Sequence, residues 1–313
     1  MTRYRYHILL NVNSGSVDAS GITGEGLIAA LAQRGIDAVV DADSDTLLNR
    51  RIEKAIASDA EVIVAAGGDG TVTAIAGAVC GAGKILGILP LGTANLLARD
   101  LGIPLEAEAW ADALAAMEPR PIDVGIVNGR IFLHKVVIGV LPALAAGREH
   151  IRGEGGGAAF GFLRFLARRL ARARPLAVAV SADGRPAHAE RMQALAVASN
   201  AYDEGVGMFF SRSRLDTGRL TIYRLKHLTL GDMVRLALRM VLGRWRDDEV
   251  LTIEEARTVT IISKKPALKV MFDGEVEMMP TPLEFSMRPC ELEILAPPRQ
   301  QADTDLQQTS ATV

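Results

Sequence analysis

The segment Gly67-Gly68-Asp69-Gly70-Thr71 constrains this chain more than any other, because of what surrounds it. An apolar strand pattern, Glu61 to Ala66, runs directly into it, and a pattern of helical period begins near Val72. A strand, a five-residue glycine loop and a helix in that order make a βα unit whose helix N-terminus offers free N–H groups and a dipole favourable to anions. Glycine lets those N–H groups approach a ligand without a Cβ in the way. Gly67, Gly68, Gly70 and Thr71 are therefore candidate phosphate-binding residues. Asp69 is out of character for an anion site and would repel phosphate unless a cation stood between them. Its natural role is to help hold Mg²⁺, directly or through water. Without its flanking elements an Asp-Gly pair would simply be a tight turn.

The same logic recurs on both sides. His7 to Leu10, Ala38 to Val40, Val62 to Ala65 and Ile85 to Leu89 read as buried strands. Leu27, Ile28 and Leu31 share one helix face, and Leu47, Leu48, Ile52 and Ile56 share another. Leu105 to Met117 reads as a further helix that ends before Pro119. Alternation of this kind predicts βαβ units and a parallel sheet. The first strand ends in Asn11-Val12-Asn13-Ser14-Gly15, and Ile85 to Leu89 leads into Pro90-Leu91-Gly92-Thr93-Ala94-Asn95 and a helix from Leu96 to Leu101. Thr93 and Asn95 can either donate to phosphate or cap that helix. Three strand ends thus carry small polar groups, and in open α/β sheets ligands bind at those carboxyl ends.

After about Ile122 the texture changes. Asp123 to Phe132, Leu176 to Ser181, Leu220 to Tyr223, Thr258 to Ile262 and Leu268 to Phe272 read as strands of a β-rich second domain. Two stretches, Phe160 to Ala173 and Leu230 to Leu242, read as helices with one apolar and one Arg-rich side. The expected organisation is a nucleotide-binding α/β domain over 1–122, a β-rich substrate domain over 123–296, and a disordered polar tail over 297–313. A length of 313 residues suits two domains.

Other chemistries are excluded by what the sequence lacks. A net charge of −2 gives none of the positive field of most nucleic-acid binders, so no nucleic-acid partner is expected. Cys80 and Cys290 have no paired spacing, which removes a disulfide framework and a zinc cluster and fits a reducing cytoplasm. No apolar run approaches the length of a transmembrane helix, so membrane contact is expected to be peripheral. Gly81-Ala82-Gly83-Lys84 is followed by Ile85, and Ala78 stands where a Walker A loop needs glycine. Neither a Gly-x-Ser-x-Gly elbow nor a His-Glu-x-x-His pair occurs.

Taken together, the residues resemble the diacylglycerol kinase catalytic family, which includes the bacterial lipid kinases and, more distantly, the sphingosine and ceramide kinases. The resemblance rests on Asn11 to Gly15, Gly67 to Thr71, Leu91 to Pro104, Ile122-Asp123-Val124-Gly125 and Phe272-Asp273-Gly274-Glu275, in the family's order along nearly the whole chain. It implies an NAD-kinase-like (Rossmann-like) N-terminal α/β domain and a C-terminal β-sandwich, with ATP in the cleft between them. Asn11, Asn13, Ser14, Gly15, Gly67 to Thr73 and Thr93 would contact ATP, with Asp41 or a neighbour near the end of the second strand completing the pocket. Asp69 and Asp123 would join the Mg²⁺ network. Asp273 and Glu275 look like the acidic motif in which a carboxylate takes the acceptor hydroxyl's proton; read alone, Asp273-Gly274-Glu275 is a hairpin turn. The segment 214–219 is similar to a structural metal loop through Arg214, Asp216, Thr217 and Arg219, although Thr217 replaces an aspartate. Leu96 likewise stands where many members carry aspartate, and Thr73-Ala74 replaces a common Asn-Glu pair.

The expected function is transfer of the γ-phosphate of ATP to a lipid hydroxyl, on diacylglycerol or a related glycerolipid, at the inner face of a membrane. Phe162 to Leu170 and Arg235 to Arg246, with Met240, Val241, Leu242 and Trp245, can each be a membrane-facing surface or a core-packing helix with a solvated basic face. Two rivals stand beside this reading: an NAD kinase, which shares the glycine loop, and a non-catalytic lipid- or nucleotide-binding member of the family. The oligomeric state stays open, a homodimer included.

Overall fold

The computed structural model describes residues 4–11, 22–139, 175–206, 208, 210–226 and 229–298. The chain divides into two compact units, Met1–Pro121 with Leu292–Val313, and Ile122–Glu291. Both boundaries fall inside strands.

In the first unit, β1 (Tyr6–Leu10), β2 (Ala38–Asp41), β3 (Val62–Gly67) and β4 (Ile85–Pro90) are all parallel, in the order β2-β1-β3-β4. A last strand returns beside β4, pairing Ile294 with Leu86 in the same direction. Every residue of β1 and β3 is buried, as expected of parallel strands covered on both faces. Helices α1 (Gly24–Gln33), α2 (Leu48–Ala57), α3 (Asp69–Val79), α4 (Leu96–Asp100) and α5 (Ala107–Leu114) connect them. The Thr23 hydroxyl caps α1 by accepting from Gly26 N–H. Leu27 and Leu31 turn inward from α1, as do Ile52 and Ala55 from α2. Helix α5 is shorter than the 105–117 expected, and its core side chain is Trp110, fully buried.

In the second unit, β5 (Glu118–Val127, entering at Ile122) and β6 (Arg130–Phe132) form a hairpin. The stretch 123–132 is thus two strands instead of the single one expected. Asn128 and Gly129, with φ of 48° and 79°, turn the chain between them. Phe132 lies over Gly125, where a Cβ would come within 2.3 Å of the ring, which accounts physically for that glycine. One sheet joins β16 (Leu283–Ala296, leaving the unit after Glu291), β13 (Thr258–Ser263), β8 (Leu176–Ala182) and β9 (His188–Met192). The other has the order β12-β11-β10-β7-β14-β15, built from β7 (Lys135–Gly139), β10 (Ala194–Ser199), β11 (Leu220–Leu225), β12 (Leu251–Ala256), β14 (Ala267–Phe272) and β15 (Glu275–Pro280). Their paired strands run antiparallel. One apolar core takes Val180, Val259, Ile261 and Phe285 from the first sheet and Val136, Val197, Ile222 and Val270 from the second, the signature of a β-sandwich. Helix α6 (Leu230–Val241) packs on a separate cluster around Tyr202, Tyr223 and Trp245. The other expected helix, 160–173, lies outside the described residues, as do 299–313 of the tail.

Candidate active site

Strand order β2-β1-β3-β4 sends the chain from β1 outward to β2 and back across to β3, so the carboxyl ends of β1 and β3 form the sheet's topological switch point. Asn11 and the glycine loop stand there. The Asn11 N–H donates to Ala66 O at 2.9 Å, and its amide Nδ2 donates to Thr71 Oγ1 at 2.9 Å. The loop is shorter than expected. Gly67 is the last residue of β3, Gly68 is the extended N-cap, and α3 starts at Asp69 instead of near Val72. Strand and helix can meet so abruptly because Gly67 has no side chain: a Cβ would lie 2.7–2.9 Å from the atoms of Thr71. Asp69 to Val72 consequently form the first turn of α3; the Val72 N–H already donates to Gly68 O, and the N–H groups before it are those an anion would use.

The loop after β4 packs backbone to backbone against the first. A Cβ on Gly92 would stand 2.6 Å from Gly68 Cα. Asn95, with φ 49°, is buried and spans its own turn, accepting from Gly92 N–H and donating to Gly92 O, both at 2.8 Å. Its side chain therefore holds the turn, and α4 has no side-chain cap. Thr93 is exposed at the tip. Asp69 joins the two loops, its Oδ1 accepting from Leu96 N–H at 2.8 Å. Position 96 thus contributes its main chain to this junction. Burial pushes the Asp69 carboxyl above the usual carboxylate range, against the opposing pull of the Leu96 and Asn95 N–H groups.

Asp41 ends β2 next to the end of β1, and its Oδ1 is already engaged. It accepts from Arg51 Nε at 2.9 Å and from Asp43 N–H at 3.1 Å. Arg51, buried on α2, also donates to Leu10 O at 3.0 Å and to Asp41 O, tying the ends of β1 and β2 together. Sequence reasoning missed this residue. Its signal was a place on the inward face of α2 beside Ile52 and Ala55. Asn13, Ser14 and Gly15 lie outside the described residues.

The second unit carries the acidic motif. Asp273 and Gly274, with φ of 43° and 101°, are the two-residue turn between β14 and β15, so the hairpin reading of these residues holds as geometry. Asp273 is also much more than a turn residue. Its Oδ2 accepts from Leu133 N–H at 2.8 Å, and its Oδ1 from His134 and Lys135 N–H at 3.0 and 2.9 Å. Glu275, by contrast, is exposed. Around this motif sit Lys135, His134 and Tyr202, none of which the sequence marked. The His134 Nδ1 lies 3.0 Å from the Tyr202 hydroxyl, and burial holds the imidazole far below its ordinary range, so it is neutral.

Asp123 is buried, and both its oxygens accept backbone donors, Gly218 N–H at 2.6 Å and Cys290 N–H at 2.9 Å. In the adjoining loop Arg214 pairs with Asp216, Thr217 donates to Asn200 Oδ1, and the Arg219 carbonyl accepts from Asn200 N–H. The loop closes through protein hydrogen bonds. Among the described residues no three His, Cys, Asp or Glu side chains are grouped to hold a metal. Within 214–219 the one carboxylate an ion could use is that of Asp216, which pairs with Arg214. A nucleotide-borne Mg²⁺ does fit Asp69, because such an ion takes one or two carboxylates and draws its other ligands from phosphate and water.

The diacylglycerol kinase catalytic domain model matches residues 5–127, and the YegS C-terminal NAD kinase beta sandwich-like domain model matches 138–296. This chain belongs to the diacylglycerol kinase and YegS-like lipid kinase family. A Pseudomonas aeruginosa (strain UCBPP-PA14) protein named "Probable lipid kinase YegS-like" is 34% identical over 254 residues, 79% of this chain and 80% of that one. The diacylglycerol kinase of Bacillus subtilis (strain 168) is 30% identical over 220 residues, 69% of this chain and 71% of its own. The fold is also that of a diacylglycerol kinase crystal structure from Bacillus anthracis str. Sterne, with a TM-score of 0.66 at 17% identity, covering 95% of this chain and 99% of that one.

Proposed function

We propose that this family member transfers the γ-phosphoryl group of ATP to the hydroxyl of a glycerolipid, with diacylglycerol the first acceptor to test. The observation that carries the reading is the junction at the switch point, where Asn11, Thr71, Asp69 and the Leu96 N–H interlock two loops at the start of α3. Such a junction aims main-chain N–H groups at phosphate oxygens and orders them before a ligand arrives. Mg²⁺ carried with the nucleotide, held by Asp69, would neutralise charge on the transferring phosphates.

The second unit contributes the acceptor chemistry. As the lipid hydroxyl oxygen bonds to the γ-phosphorus, its proton passes to a carboxylate of the Asp273 and Glu275 pair. The bond from phosphorus to the bridging oxygen breaks, and ADP leaves. Asp273 is fixed by three N–H donors, and Glu275 is exposed and able to meet an incoming group. Among the described residues no helix is long and apolar enough to cross a membrane, which is consistent with a peripheral meeting with the lipid.

The test is phosphate transfer from labelled ATP with Mg²⁺ to diacylglycerol, monoacylglycerol, phosphatidylglycerol, ceramide and sphingosine in mixed micelles, with NAD as a control. Product from a glycerolipid, lost in Glu275→Gln, is expected. Labelling of NAD alone would move the protein to the NAD kinases, and nucleotide binding without any transfer would leave a non-catalytic member.

A further inference from the structure

Helix α6 is built inside out for a surface helix. Its exposed positions are Gly231, Val234, Ala237, Leu238, Val241 and the following Leu242, and none is charged. Spacings of three and four place them on one face. The four large ones are 51%, 59%, 53% and 63% exposed. Leu236 and Met240 turn the other way, onto Tyr202, Tyr223 and Trp245. Trp245 and Met240, for which the sequence left a membrane-facing and a core-packing role open, belong to the packed side.

The arginines are accounted for by a buried acid. Arg235 donates to both oxygens of Asp248 at 3.2 and 3.0 Å, and Arg239 pairs with it at 3.4 Å. The Asp248 side chain is 0% exposed, while each arginine side chain is 40% exposed. The flank of the helix therefore shows guanidinium to the outside and hides its countercharge. Amphipathic surface helices normally present charge outward and bury the apolar face.

The apolar surface continues beyond the helix. Gly243, with φ 64°, lies against the next loop so closely that a Cβ would meet Val206 N at 2.6 Å. That loop exposes Val206, Met208 and Phe210. Phe210 packs edge-on to Tyr202, and Lys135 Nζ stands 3.9 Å from its ring centre. Lys135 N–H is one of the three donors that hold Asp273. The 206–210 loop thus adjoins the end of α6 at Gly243 and, through Lys135, the backbone that holds Asp273, all within a single unit.

We propose that the outer face of α6, together with Val206, Met208 and Phe210, is the surface by which this protein docks on a phospholipid bilayer. The proposal rests on the lipid kinase reading and names the surface that delivers the acceptor to Asp273 and Glu275. An uncharged stripe flanked by arginines suits the boundary between headgroups and acyl chains, with the guanidinium groups reaching phosphates and the aliphatic side chains below them. Exposed Asp247 and Glu249 offset part of the arginine charge. Apolar insertion therefore carries most of the binding, and anionic lipid strengthens it only a few-fold.

The experiment uses the full chain with phosphatidylcholine vesicles, with and without phosphatidylglycerol, and no nucleotide. Leu238→Glu and Leu242→Glu are compared with Ile262→Glu, a charge placed on an exposed apolar position of β13 (47% exposed) away from α6. Circular dichroism checks the fold of each. Co-sedimentation with vesicles should weaken about ten-fold or more in the two α6 variants and stay near wild type in Ile262→Glu. Turnover of a dispersed short-chain diacylglycerol should be unchanged in the α6 variants while turnover of vesicle-borne diacylglycerol falls. Wild-type protein that ignores vesicles, or α6 variants that bind them normally, overturns the docking surface. Light scattering that shows a wild-type dimer made monomeric by Leu238→Glu, with vesicle binding intact, overturns it in favour of self-association. Vesicle binding lost in the α6 variants of a protein that phosphorylates no lipid leaves the docking surface standing and removes the kinase reading.

Discussion

Asp69 serves two demands that pull against each other. Its carboxylate joins the loops through Leu96 N–H, yet burial disfavours its charge. On the proposed function a cation brought with the nucleotide would relieve that conflict, so the ligand-free protein would bear a cost that binding removes. Asp69→Asn is expected to leave the melting temperature of the free protein unchanged or slightly raised, while abolishing the thermal shift produced by ATP with Mg²⁺. A drop of several degrees in the free variant would mean that the charge-assisted bonds outweigh burial. The acidic turn separates in the same way. Asp273→Asn puts an amide where three N–H donors converge, at a cost of about 2 kcal/mol or more, and should lose stability along with activity. Glu275→Gln should lose activity with an unchanged urea midpoint, and an equal loss of stability in both variants would refute the division of roles. Asn11, Thr71 and Asp69 were legible because strand ends and glycine spacing are local signals. Arg51, His134 and Lys135 were not, because their surroundings come from segments tens of residues away.

Elements were more legible than their ends. Apolar runs located β1 to β4 because parallel strands are buried on both faces. The glycine loop was read too long because the close contact of Gly67 with Thr71, which lets α3 start at Asp69, is a packing fact. The outward apolar face of α6 was hidden for a similar reason: the pairing of its flanking arginines with buried Asp248, beyond the end of the helix, is a contact the local pattern does not report. Arg51 illustrates what such contacts do between elements. Its guanidinium links α2 to the ends of β1 and β2, and the pair with Asp41 is nearly dry, at 6% and 10% side-chain exposure. Removing one partner of a buried pair strands the other charge, so Arg51→Met should cost about 3–5 kcal/mol. A urea midpoint within error of wild type would show that water replaces the guanidinium. Loss of ATP binding should accompany the destabilisation, since Leu10 and Asp41 frame the strand ends beside Asn11.

At the scale of the whole molecule, the change from helical to alternating texture near Ile122 was readable, whereas the pairing of Ile294 with Leu86 was not, since no local pattern reports so distant a partner. Buried histidines add a property that only the folded chain reveals. His134 is held neutral by burial, first, and by Arg212 and Lys135, while in the unfolded chain it titrates near its ordinary value of 6.5. As pH falls below that value the unfolded state takes up a proton that the folded state refuses, so stability is lost at about 1.4 kcal/mol per pH unit. His7, also buried and shifted downward by burial, acts in the same direction. Asp183 and Glu254, whose carboxyls are held below their usual range, lose their contribution only near pH 4 and lower. Asp69, shifted upward, works in the opposite sense and gains as pH falls. Urea unfolding at pH 7.5 and 5.5 should therefore show a loss of about 1.4–3 kcal/mol. His134→Phe should reduce that dependence to the share left by His7, without altering Asp69 or the carboxylates. A wild-type profile that is flat between the two pH values would mean that His134 accepts its proton inside the fold, and that the cluster of Tyr202 and Tyr223 around it opens to water well before the molecule unfolds.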